Sequence, residues 1–312
     1  MLYYPEPESG LDRTAVNDAI EAAFAEHGRG RVQMPPKVYV TFPTGDFRTM
    51  PAYIPSLGIG GVKIVNVHPD NPAVGLPTVM ALTVILDVAT GKPEAILNAT
   101  GLTDLRTGAA GAVAAKYLAP GNPVSLGVVG SGRQARAQVE ALSREISIEN
   151  IRVWSRKEKN ASDFCKDLSM FDCEVTSLEK VCECQCIVTT TPSRTPLIKS
   201  EWIHDGTHIN AIGADAAGKE ELDPLILKRA SVFVDDPAQA VHSGEINVPI
   251  GYGFYSPDEI EGTLGEVVLG KKGRKDSSQI TVFDSTGLAI QDLAIAKVAM
   301  ETATAVPLTF DV

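Results

Sequence analysis

The fold of this chain is decided by the stretch Ser125-Leu126-Gly127-Val128-Val129-Gly130-Ser131-Gly132-Arg133-Gln134-Ala135. Residues 125–129 form a continuous apolar run, which is typical of a strand buried on both faces of a parallel sheet. Gly130 then permits a tight turn, and Gly132 lets the backbone come close to a pyrophosphate. Ala135 is the third small position, where the following helix packs closely against the strand. The stretch therefore predicts a strand, a glycine turn and the start of a helix.

The surroundings of this G-x-G-x-x-A stretch strengthen a motif that is weak when it stands alone. A helix-like segment covers residues 133–144 and a strand is predicted over 150–154, so the stretch opens a βαβ unit. The first helical turn, with Arg133 and Gln134, offers backbone amides and the positive end of the helix dipole to a phosphate. We interpret the unit as a dinucleotide-binding site. The alternative is an ordinary glycine turn in an α/β protein.

The end of the second strand bears on the choice of dinucleotide. Enzymes that use NAD usually carry an acid roughly 20 residues beyond the glycines, whereas this chain has Ser155, Arg156 and Lys157 there. The serine can hydrogen-bond to a 2′-phosphate, and the two cations can pair with it. The sequence thus favours NADP(H) over NAD(H). The alternative is a solvated basic turn, with Glu158 still able to reach a ribose hydroxyl.

Two domains are expected from the order of the segments. Strands and helices alternate over residues 121–287, which predicts a doubly wound parallel sheet of the Rossmann type. Residues 1–120 instead hold a helix over 11–27, several antiparallel-looking strands and a second helix over 103–118. The final helix has little left to pair with in the Rossmann domain, so we expect 288–312 to complete the first domain. The predicted fold class is α/β, a Rossmann sheet plus a discontinuous α+β domain.

Composition and charge exclude several classes of protein. The 312 residues carry a net charge of −11, and 44% of them are hydrophobic. A phosphate backbone would be repelled by such a surface, so nucleic-acid binding is not expected. No stretch approaches the ~18 apolar residues of a membrane span, and the N-terminus lacks the pattern of a signal peptide. We therefore expect a cytoplasmic protein.

The five cysteines are expected to be free thiols, because their number is odd and no leader is predicted. Cys182, Cys184 and Cys186 lead into an apolar strand, and their spacing matches no common zinc pattern. We expect them to be buried or half-buried thiols, with a redox role or an adventitious metal as the alternative. No cluster of His, Cys and acidic residues has metal-ligand spacing, so no metal is expected.

Three cations in the first domain and one acid in the second are candidates for chemistry. Lys63 is the most telling, because it stands inside the apolar strand 62–67, where desolvation lowers the pKa of a lysine toward neutrality. Arg48 and Arg106 stand in mixed or apolar surroundings. Each of the three could instead be an edge-strand or surface cation. Asp215 follows a predicted parallel strand, which favours a functional role, with a helix cap as the alternative.

Short runs along nearly the whole chain are similar to runs of one known family. They are Gln33-Met34-Pro35-Pro36-Lys37-Val38-Tyr39, Arg48-Thr49-Met50-Pro51-Ala52, His68-Pro69-Asp70-Asn71-Pro72, Gly75-Leu76-Pro77-Thr78-Val79-Met80-Ala81, Leu105-Arg106-Thr107-Gly108-Ala109-Ala110, Thr189-Thr190-Thr191-Pro192-Ser193, His208-Ile209-Asn210-Ala211-Ile212-Gly213-Ala214-Asp215, Gly244-Glu245-Ile246-Asn247 and Phe283-Asp284-Ser285-Thr286-Gly287. On these runs the chain resembles the ornithine cyclodeaminase/mu-crystallin family, and within it the branch of the archaeal alanine dehydrogenases.

The resemblance implies an N-terminal domain that binds the substrate and forms a homodimer, together with NAD(H) or NADP(H) as cofactor. It implies that Lys63 is a catalytic acid/base, that Arg106 holds a carboxylate and that Asp215, a second catalytic residue, lies beside the nicotinamide and the reacting carbon. It also implies cofactor contacts by Lys219 and Ser285. Arg106, Thr190 and Gly213 are further predicted cofactor residues.

Arg48 separates the reactions found in this family. In ornithine cyclodeaminases the matching position resembles a glutamate that receives the distal ammonium of ornithine. An arginine would repel that ammonium and attract a carboxylate, so Arg48 is expected to bind the substrate's α-carboxylate together with Arg106. The resemblance therefore favours a small amino acid with its 2-oxo or imino acid, first as an alanine dehydrogenase and then as a Δ1-pyrroline-2-carboxylate reductase. A cyclodeaminase-type lyase and a non-enzymatic ligand carrier are the remaining alternatives.

Overall fold

The computed structural model describes residues 1–310. The chain divides into two compact units, one comprising Met1–Arg106 and the residues from Leu288 onward, the other comprising Thr107–Gly287. The sequence placed the first boundary after residue 120, whereas the compact units divide between Arg106 and Thr107, inside a helix. The reason is that the small residues in the second half of this helix, such as Ala112 and Ala115, pack in the core of the second unit.

Within residues 1–310 the chain forms ten α-helices and seventeen β-strands. Up to residue 118 they are β1 (Leu2–Tyr4), α1 (Arg13–Gly28), β2 (Val38–Phe42), β3 (Gly45–Ile54), β4 (Ile59–Val67), β5 (Val79–Leu86), β6 (Pro93–Asn98) and α2 (Thr100–Leu118). From residue 124 they are β7 (Val124–Val129), α3 (Arg133–Glu145), β8 (Ile148–Trp154), α4 (Glu158–Asp167), β9 (Cys173–Val175), α5 (Leu178–Val181), β10 (Cys186–Thr189), β11 (Arg194–Ile198), β12 (His208–Ala211), β13 (Glu220–Leu222), α6 (Pro224–Arg229), β14 (Ser231–Val234), α7 (Pro237–Ser243), α8 (Asn247–Gly251), β15 (Gly262–Thr263), α9 (Leu264–Val268), β16 (Thr281–Asp284), α10 (Ala289–Thr302) and β17 (Val306–Pro307).

The first unit is a seven-stranded sheet in the order β17-β1-β6-β5-β4-β3-β2. The pairs from β2 to β6 are antiparallel, whereas β1 runs parallel to β6. Alternate residues of β3, namely Arg48, Met50, Ala52 and Ile54, are buried and lie on one face. The final helix α10 contacts α1, β3, β4 and β5. It belongs to the first unit, which is therefore discontinuous in sequence.

The second unit is an eight-stranded parallel sheet in the order β15-β14-β16-β12-β10-β7-β8-β9. The strand order reverses between β7 and β10, so the carboxyl end of β7 lies at the topological switch point where ligands bind in such sheets. The strands β7 and β10 are buried along almost their whole length, which explains why they are mostly apolar in sequence. The predicted fold class is confirmed.

Several short elements of the second unit have no counterpart in the prediction. They are the two-stranded sheet formed by β11 and β13, the short helices α6 to α9 and the strand β15. The helices have between five and seven residues each. A helix of this length completes at most two turns, so hydrophobic periodicity gives it no signal. Within residues 1–310 we found no helix with the length and apolar character needed to cross a membrane.

Two of the cysteines correct the expectation of free thiols. Cys165 on α4 and Cys173 at the start of β9 form a disulfide, with their Cα atoms 5.4 Å apart. The prediction was wrong for this pair because it considered the number of cysteines and not the close approach of a helix end to the next strand. Cys182, Cys184 and Cys186 are buried free thiols, as predicted. Burial raises the pKa of each of these three thiols, to about 12, 11 and 12 respectively.

Candidate active site

The glycine turn after β7 has the geometry that a bound pyrophosphate requires. Gly130 has a φ of 109°, and a Cβ built there would lie 2.6 Å from Thr190 Oγ1, so only glycine fits. Gly132 precedes the first residue of α3, and a Cβ built on it would meet no atom of residues 1–310 within 4 Å. The backbone at Gly132 is therefore open on the side from which a phosphate would approach.

The first turn of α3 supplies the polar part of this site. The helix begins at Arg133 and has thirteen residues, and its N-cap Gly132 has no side chain to occupy the amides of that turn. Arg133 is exposed, and Gln134 is half-buried. Backbone amides and the positive end of the helix dipole together favour an anion at this position. The residues present thus fit the phosphates of a dinucleotide.

The end of β8 lies next to the glycine turn. Ser155 Oγ is 2.9 Å from Ser131 Oγ, so this serine is in hydrogen-bond contact with the turn. Arg156 and Lys157 are exposed where the chain passes into α4. No acid stands between Trp154 and Lys157. The site offers a hydroxyl and two exposed cations at the place where a ribose or its 2′-phosphate binds in this fold.

The other predicted cofactor residues follow neighbouring strands of the same sheet. The backbone amide of Thr190 donates to Val129 O at 2.9 Å, which links the end of β10 to the glycine turn. The amide of Ser285, after β16, donates to Ala211 O of β12 at 3.0 Å. Gly213 follows β12, and its amide donates to Glu221 Oε2 at 2.8 Å. The structure therefore places these residues along the carboxyl edge of the parallel sheet.

Buried carboxylates hold this edge in place, and sequence reasoning missed them. Glu221 accepts four hydrogen bonds: from Thr189 Oγ1, from the amide and hydroxyl of Thr191, and from the Gly213 amide, at 2.6–2.8 Å. Glu245 Oε1 accepts from the amides of Glu221 and Leu222 at 2.8 and 2.6 Å. Glu221 connects the ends of β10 and β12 to β13, and Glu245 holds β13 itself. The run Gly244-Glu245-Ile246-Asn247 is a signal that could have found Glu245.

Asp215 forms an ion pair with Lys219, and both side chains are partly exposed. The segment after Asp215 is a turn that leads to β13, so there is no helix for Asp215 to cap and that alternative is wrong. Lys219 neutralises the acid locally. The two residues that the resemblance singled out in this segment therefore contact each other.

Lys63 lies at the centre of a buried polar cluster in the first unit. It is on β4 and has no exposed surface, and its Nζ is 2.6 Å from Asp292 Oδ1 of α10. Arg106 on α2 is also buried, and its Nε is 3.1 Å from the same oxygen. Two cations thus share one carboxylate oxygen in a buried site, where electrostatic interactions are strong.

Burial lowers the pKa of Lys63 from 10.5 to about 7, and it is the largest of several influences. The Arg106 charge lowers this pKa further, whereas the charge and hydrogen bond of Asp292 raise it. A lysine with a pKa near 7 exchanges its proton readily at neutral pH. The predicted acid/base candidate therefore has the burial and the charged neighbours that such chemistry needs.

Gln291 joins the cluster beside Asp292. Its Oε1 accepts from Arg106 Nη1 at 3.2 Å and from the Leu288 amide at 2.6 Å. Sequence reasoning identified Lys63 and Arg106 but missed Gln291 and Asp292. Lys63 was singled out because it is a charged residue in an apolar strand. Gln291 and Asp292 are likewise polar residues in the apolar helix α10, so the same criterion could have found them.

Arg48 is a buried residue of the same sheet as Lys63 but pairs with another acid. Its Nε is 2.8 Å from Asp46 Oδ1, and its guanidinium lies over the Tyr39 ring at 5.1 Å. The structure thus brings Lys63 and Arg106 together at Asp292, and it holds Arg48 by separate contacts. No group of three His, Cys or acidic residues within 1–310 is arranged to hold a metal ion.

The fold and these two sites define a dinucleotide-binding protein of the Rossmann class, with an α+β unit that carries a buried lysine–aspartate–arginine cluster. The chain belongs to the ornithine cyclodeaminase/mu-crystallin family, whose family model matches residues 6–306. The resemblance seen in the sequence is confirmed.

Similar proteins show where in the family this chain lies. The alanine dehydrogenase of Archaeoglobus fulgidus is 48% identical over 307 residues, which are 97% of this chain and 94% of that protein. A solved archaeal alanine dehydrogenase, a dimer with bound NAD, has a TM-score of 0.94 at 46% identity, with 99% of both chains covered. The Δ1-pyrroline-2-carboxylate reductase of Thermococcus litoralis, solved with NADH and L-proline, has a TM-score of 0.92 at 33% identity and covers 96% of this chain and 97% of its own.

Proposed function

We propose that this protein is an NAD(P)-dependent alanine dehydrogenase, which interconverts L-alanine, water and the oxidised cofactor with pyruvate, ammonium, the reduced cofactor and a proton. The observation that carries the proposal is the buried Lys63, which has a pKa near 7 and lies with Arg106 at one carboxylate. The similarity to two alanine dehydrogenases over nearly the full length supports the choice of substrate.

The roles of the first-unit residues follow from their charges. Arg106 is positioned to bind the substrate's α-carboxylate, because a guanidinium pairs well with a carboxylate in a buried site. Lys63 in its neutral form accepts a proton from the α-ammonium or from the attacking water, and in its protonated form it returns one in the reverse reaction. When bound, the nicotinamide accepts hydride from the α-carbon of the substrate or donates it.

The second-unit residues are assigned to the dinucleotide. Gly130, Gly132 and the first turn of α3, with Arg133 and Gln134, hold the phosphates. Thr190, Gly213, Lys219 and Ser285 contact the nicotinamide half, and Asp215 favours positive charge on the reacting carbon–nitrogen bond. These assignments are supported by the shared sheet edge of Thr190, Gly213 and Ser285, and by the Asp215–Lys219 pair.

Either NAD(H) or NADP(H) can serve, and we propose a preference for NADP(H). Ser155, Arg156 and Lys157 provide a hydroxyl and two exposed cations where a 2′-phosphate would lie, with no acid to repel it. The two solved relatives contain NAD and NADH. The first assay should therefore compare NADPH with NADH.

A homodimer is proposed from the open face of the sheet in the first unit. Val38, Thr49, Ile64 and Leu82 lie directly across from one another on β2, β3, β4 and β5. They are on the face opposite to Lys63 and α10, and the three apolar members are at least 36% exposed. An exposed apolar sheet face of this kind is typical of a subunit interface. The solved archaeal relative is a dimer.

A second candidate function is the reduction of Δ1-pyrroline-2-carboxylate, because the relative solved with L-proline matches almost the whole chain. Both reactions transfer hydride at a carbon–nitrogen bond beside a carboxylate, so the same residues serve either. A cyclodeaminase-type lyase is disfavoured by Arg48, whose positive charge would repel a distal ammonium.

The test is oxidation of NADPH and of NADH with pyruvate plus ammonia, beside the same assay with Δ1-pyrroline-2-carboxylate. We expect kcat/KM to be higher for pyruvate plus ammonia and, between cofactors, for NADPH. A higher kcat/KM for the cyclic imine would select the second candidate. Ammonia release from ornithine with no net change in cofactor absorbance would identify a lyase and refute both.

A further inference from the structure

We propose that Gln291 and Asp292 of α10 recognise the amino-acid head of the substrate. Asp292 Oδ2 accepts a hydrogen bond from the substrate's α-nitrogen, and Gln291 Nε2 donates one to its carboxylate. This inference rests on the proposed function, since it describes how the same site selects an α-amino acid. It adds two specificity residues to a site otherwise made of cations.

The first evidence is a set of buried polar atoms that lack partners. Asp292 Oδ2, Gln291 Nε2 and Thr83 Oγ1 are buried, and none of them has a hydrogen-bond partner within residues 1–310. Thr83 stands directly opposite Lys63 in the β4–β5 pair. Buried polar groups in folded proteins are almost always satisfied. Two such atoms on residues that contact Lys63 or Arg106, with a third on the residue paired with Lys63, therefore point to a polar ligand.

The second evidence is the way in which the remaining atoms of these residues are held. Asp292 Oδ1 accepts a hydrogen bond from Lys63 and forms an ion pair with Arg106. These two contacts fix the plane of the carboxylate. Gln291 Oε1 accepts hydrogen bonds from Arg106 Nη1 and from the Leu288 amide, and these two bonds fix the orientation of the Gln291 amide group. Each side chain therefore presents its other polar atom in one direction without further ordering.

The charges of the cluster match an α-amino acid. Arg106 and Asp292 carry opposite charges, and Lys63 near its pKa can be neutral. An α-amino acid brings one carboxylate and one ammonium, so its binding leaves the buried site neutral overall. A carboxylic acid without the nitrogen brings an uncompensated negative charge to Asp292 and gains nothing from Asp292 Oδ2. The cluster should therefore distinguish the two.

The experiment compares L-alanine with propionate, which lacks only the nitrogen, and includes L-proline as a cyclic amino acid. L-alanine, L-proline and propionate are titrated by calorimetry into the full-length enzyme saturated with NADH or NADPH. We expect the wild type to bind an amino acid more tightly than propionate. Asp292→Asn should reduce this preference roughly 10-fold or more, as for a lost charge-assisted hydrogen bond. It should not weaken propionate binding, because it removes the negative charge that opposes a carboxylate without an ammonium group. The exposed Asp18→Asn on α1 is the matched control.

A second readout separates recognition from a structural role. Asp292 raises the pKa of Lys63, so its removal should move the acidic limb of the oxidation rate to lower pH. Gln291→Leu should weaken propionate and amino acids alike, because it removes a carboxylate donor. An Asp292→Asn variant that keeps the full preference overturns the proposal. A variant that loses all three ligands equally also overturns it.

A paired variant covers the case in which Asp292→Asn does not fold. Lys63→Met removes the buried lysine, and Lys63→Met with Asp292→Asn then removes the acid without leaving that lysine unpaired. We expect Lys63→Met to keep the preference for an amino acid and the double variant to lose it. If pyruvate plus ammonia is not turned over but the preference still depends on Asp292, the proposed reaction fails and this inference stands. A wild type that prefers propionate refutes the inference.

Discussion

Lys63 shows how one residue acquires its chemistry from burial. Its pKa falls to about 7 because the buried ammonium form is disfavoured and Arg106 repels it, while Asp292 opposes the shift. Oxidation of the amino acid needs the neutral amine, so its rate should fall as pH decreases below about 7. Reductive amination needs the ammonium form, so its rate should fall as pH rises above about 7. Measured kcat/KM profiles in the two directions test this, and parallel profiles would contradict it.

Replacement of Lys63 tests the same role at fixed pH. Lys63→Met keeps the length of the side chain and removes the titrating nitrogen, so kcat should fall by about 10²–10⁴, the usual contribution of general acid/base catalysis. Cofactor affinity, measured by nucleotide fluorescence, should change little, because the predicted nucleotide contacts are mostly in the second unit. Lys297→Met on α10 is a matched control, since Lys297 Nζ donates to the Leu57 carbonyl oxygen and not to Asp292. Wild-type turnover by Lys63→Met would remove Lys63 from the mechanism.

The sequence predicted only part of this cluster. Lys63 stood out because an ammonium group is costly to bury inside an apolar strand. Arg106 was identified because it lies in a run that resembles the family. Asp292 was missed because its contact with Lys63 joins residues 229 positions apart. Local residue patterns do not tell which strands α10 packs against, so the Lys63–Asp292 ion pair could be identified only in the folded structure.

At the scale of the element, the glycine turn gives two variants with opposite consequences. Gly132→Ala adds a methyl group where residues 1–310 place nothing within 4 Å, so the free energy of unfolding should change by less than about 1 kcal/mol. The same methyl group would occupy the approach to the phosphates, and the cofactor Kd should rise roughly 10-fold or more, a loss of about 1.4 kcal/mol. Gly121→Ala, in an equally open loop position, is the control.

Gly130→Ala should instead destabilise the fold. The positive φ of Gly130 is unfavourable for alanine by about 1–3 kcal/mol, and the added Cβ would also collide with Thr190. Urea denaturation of both glycine variants checks the contrast. Equal stability of Gly130→Ala and Gly132→Ala would show that the turn is not held as described.

The acids at the carboxyl edge of the parallel sheet make a further prediction. Burial and the nearby Glu221 charge raise the pKa of Glu245 well above its usual value. The folded protein therefore keeps the Glu245 proton to higher pH than the unfolded chain, which releases it above about pH 4.5. Its contribution to stability is therefore present at acidic pH and lost as pH rises through the folded pKa. Glu245→Gln, which is neutral and similar in shape, should remove that pH dependence and keep cofactor binding.

Glu245→Ala is the matched disruptive variant. It leaves the amides of Glu221 and Leu222 without their acceptor and should cost about 2 kcal/mol or more. Urea titrations of the two variants between pH 5 and pH 8 are the measurement. If Glu245→Gln is as destabilised as Glu245→Ala, then Glu245 is ionised and the assignment is wrong.

Long periodic elements were predictable from the sequence, and short irregular ones were not. The strands β4, β7 and β8 and the helices α1, α2 and α3 were expected close to their observed bounds, because their apolar patterns extend over several residues or turns. The helices α6 to α9 and the pair β11 and β13 are set by tertiary contacts, among them the hydrogen bonds of Glu245 to β13. Local residue patterns do not encode such contacts.

At the scale of the whole molecule, the open face of the first-unit sheet is the surface through which we propose that two copies of the chain pair. Val38, Ile64 and Leu82 are exposed on that face. Ile64 pairs directly with Leu82, and Thr49 lies between Ile64 and Val38 in the same row. Apolar surface of this kind is removed from water when two copies pair through it, at roughly 25 cal/mol per Å². The sequence implied a dimer only through the family resemblance, because the exposed face of a strand cannot be recognised until its buried face is known.

Ile64→Asp and Leu82→Asp should each convert the dimer into a folded monomer. A carboxylate buried without a partner in a subunit interface costs several kcal/mol, whereas on a free sheet face it stays hydrated. Light scattering coupled to size exclusion should give twice the chain mass for the wild type and the chain mass for both variants, with unchanged far-UV circular dichroism. Met170→Asp, on an exposed loop of the second unit, should remain dimeric. Dimeric Ile64→Asp with wild-type affinity would place the interface on another surface of the chain.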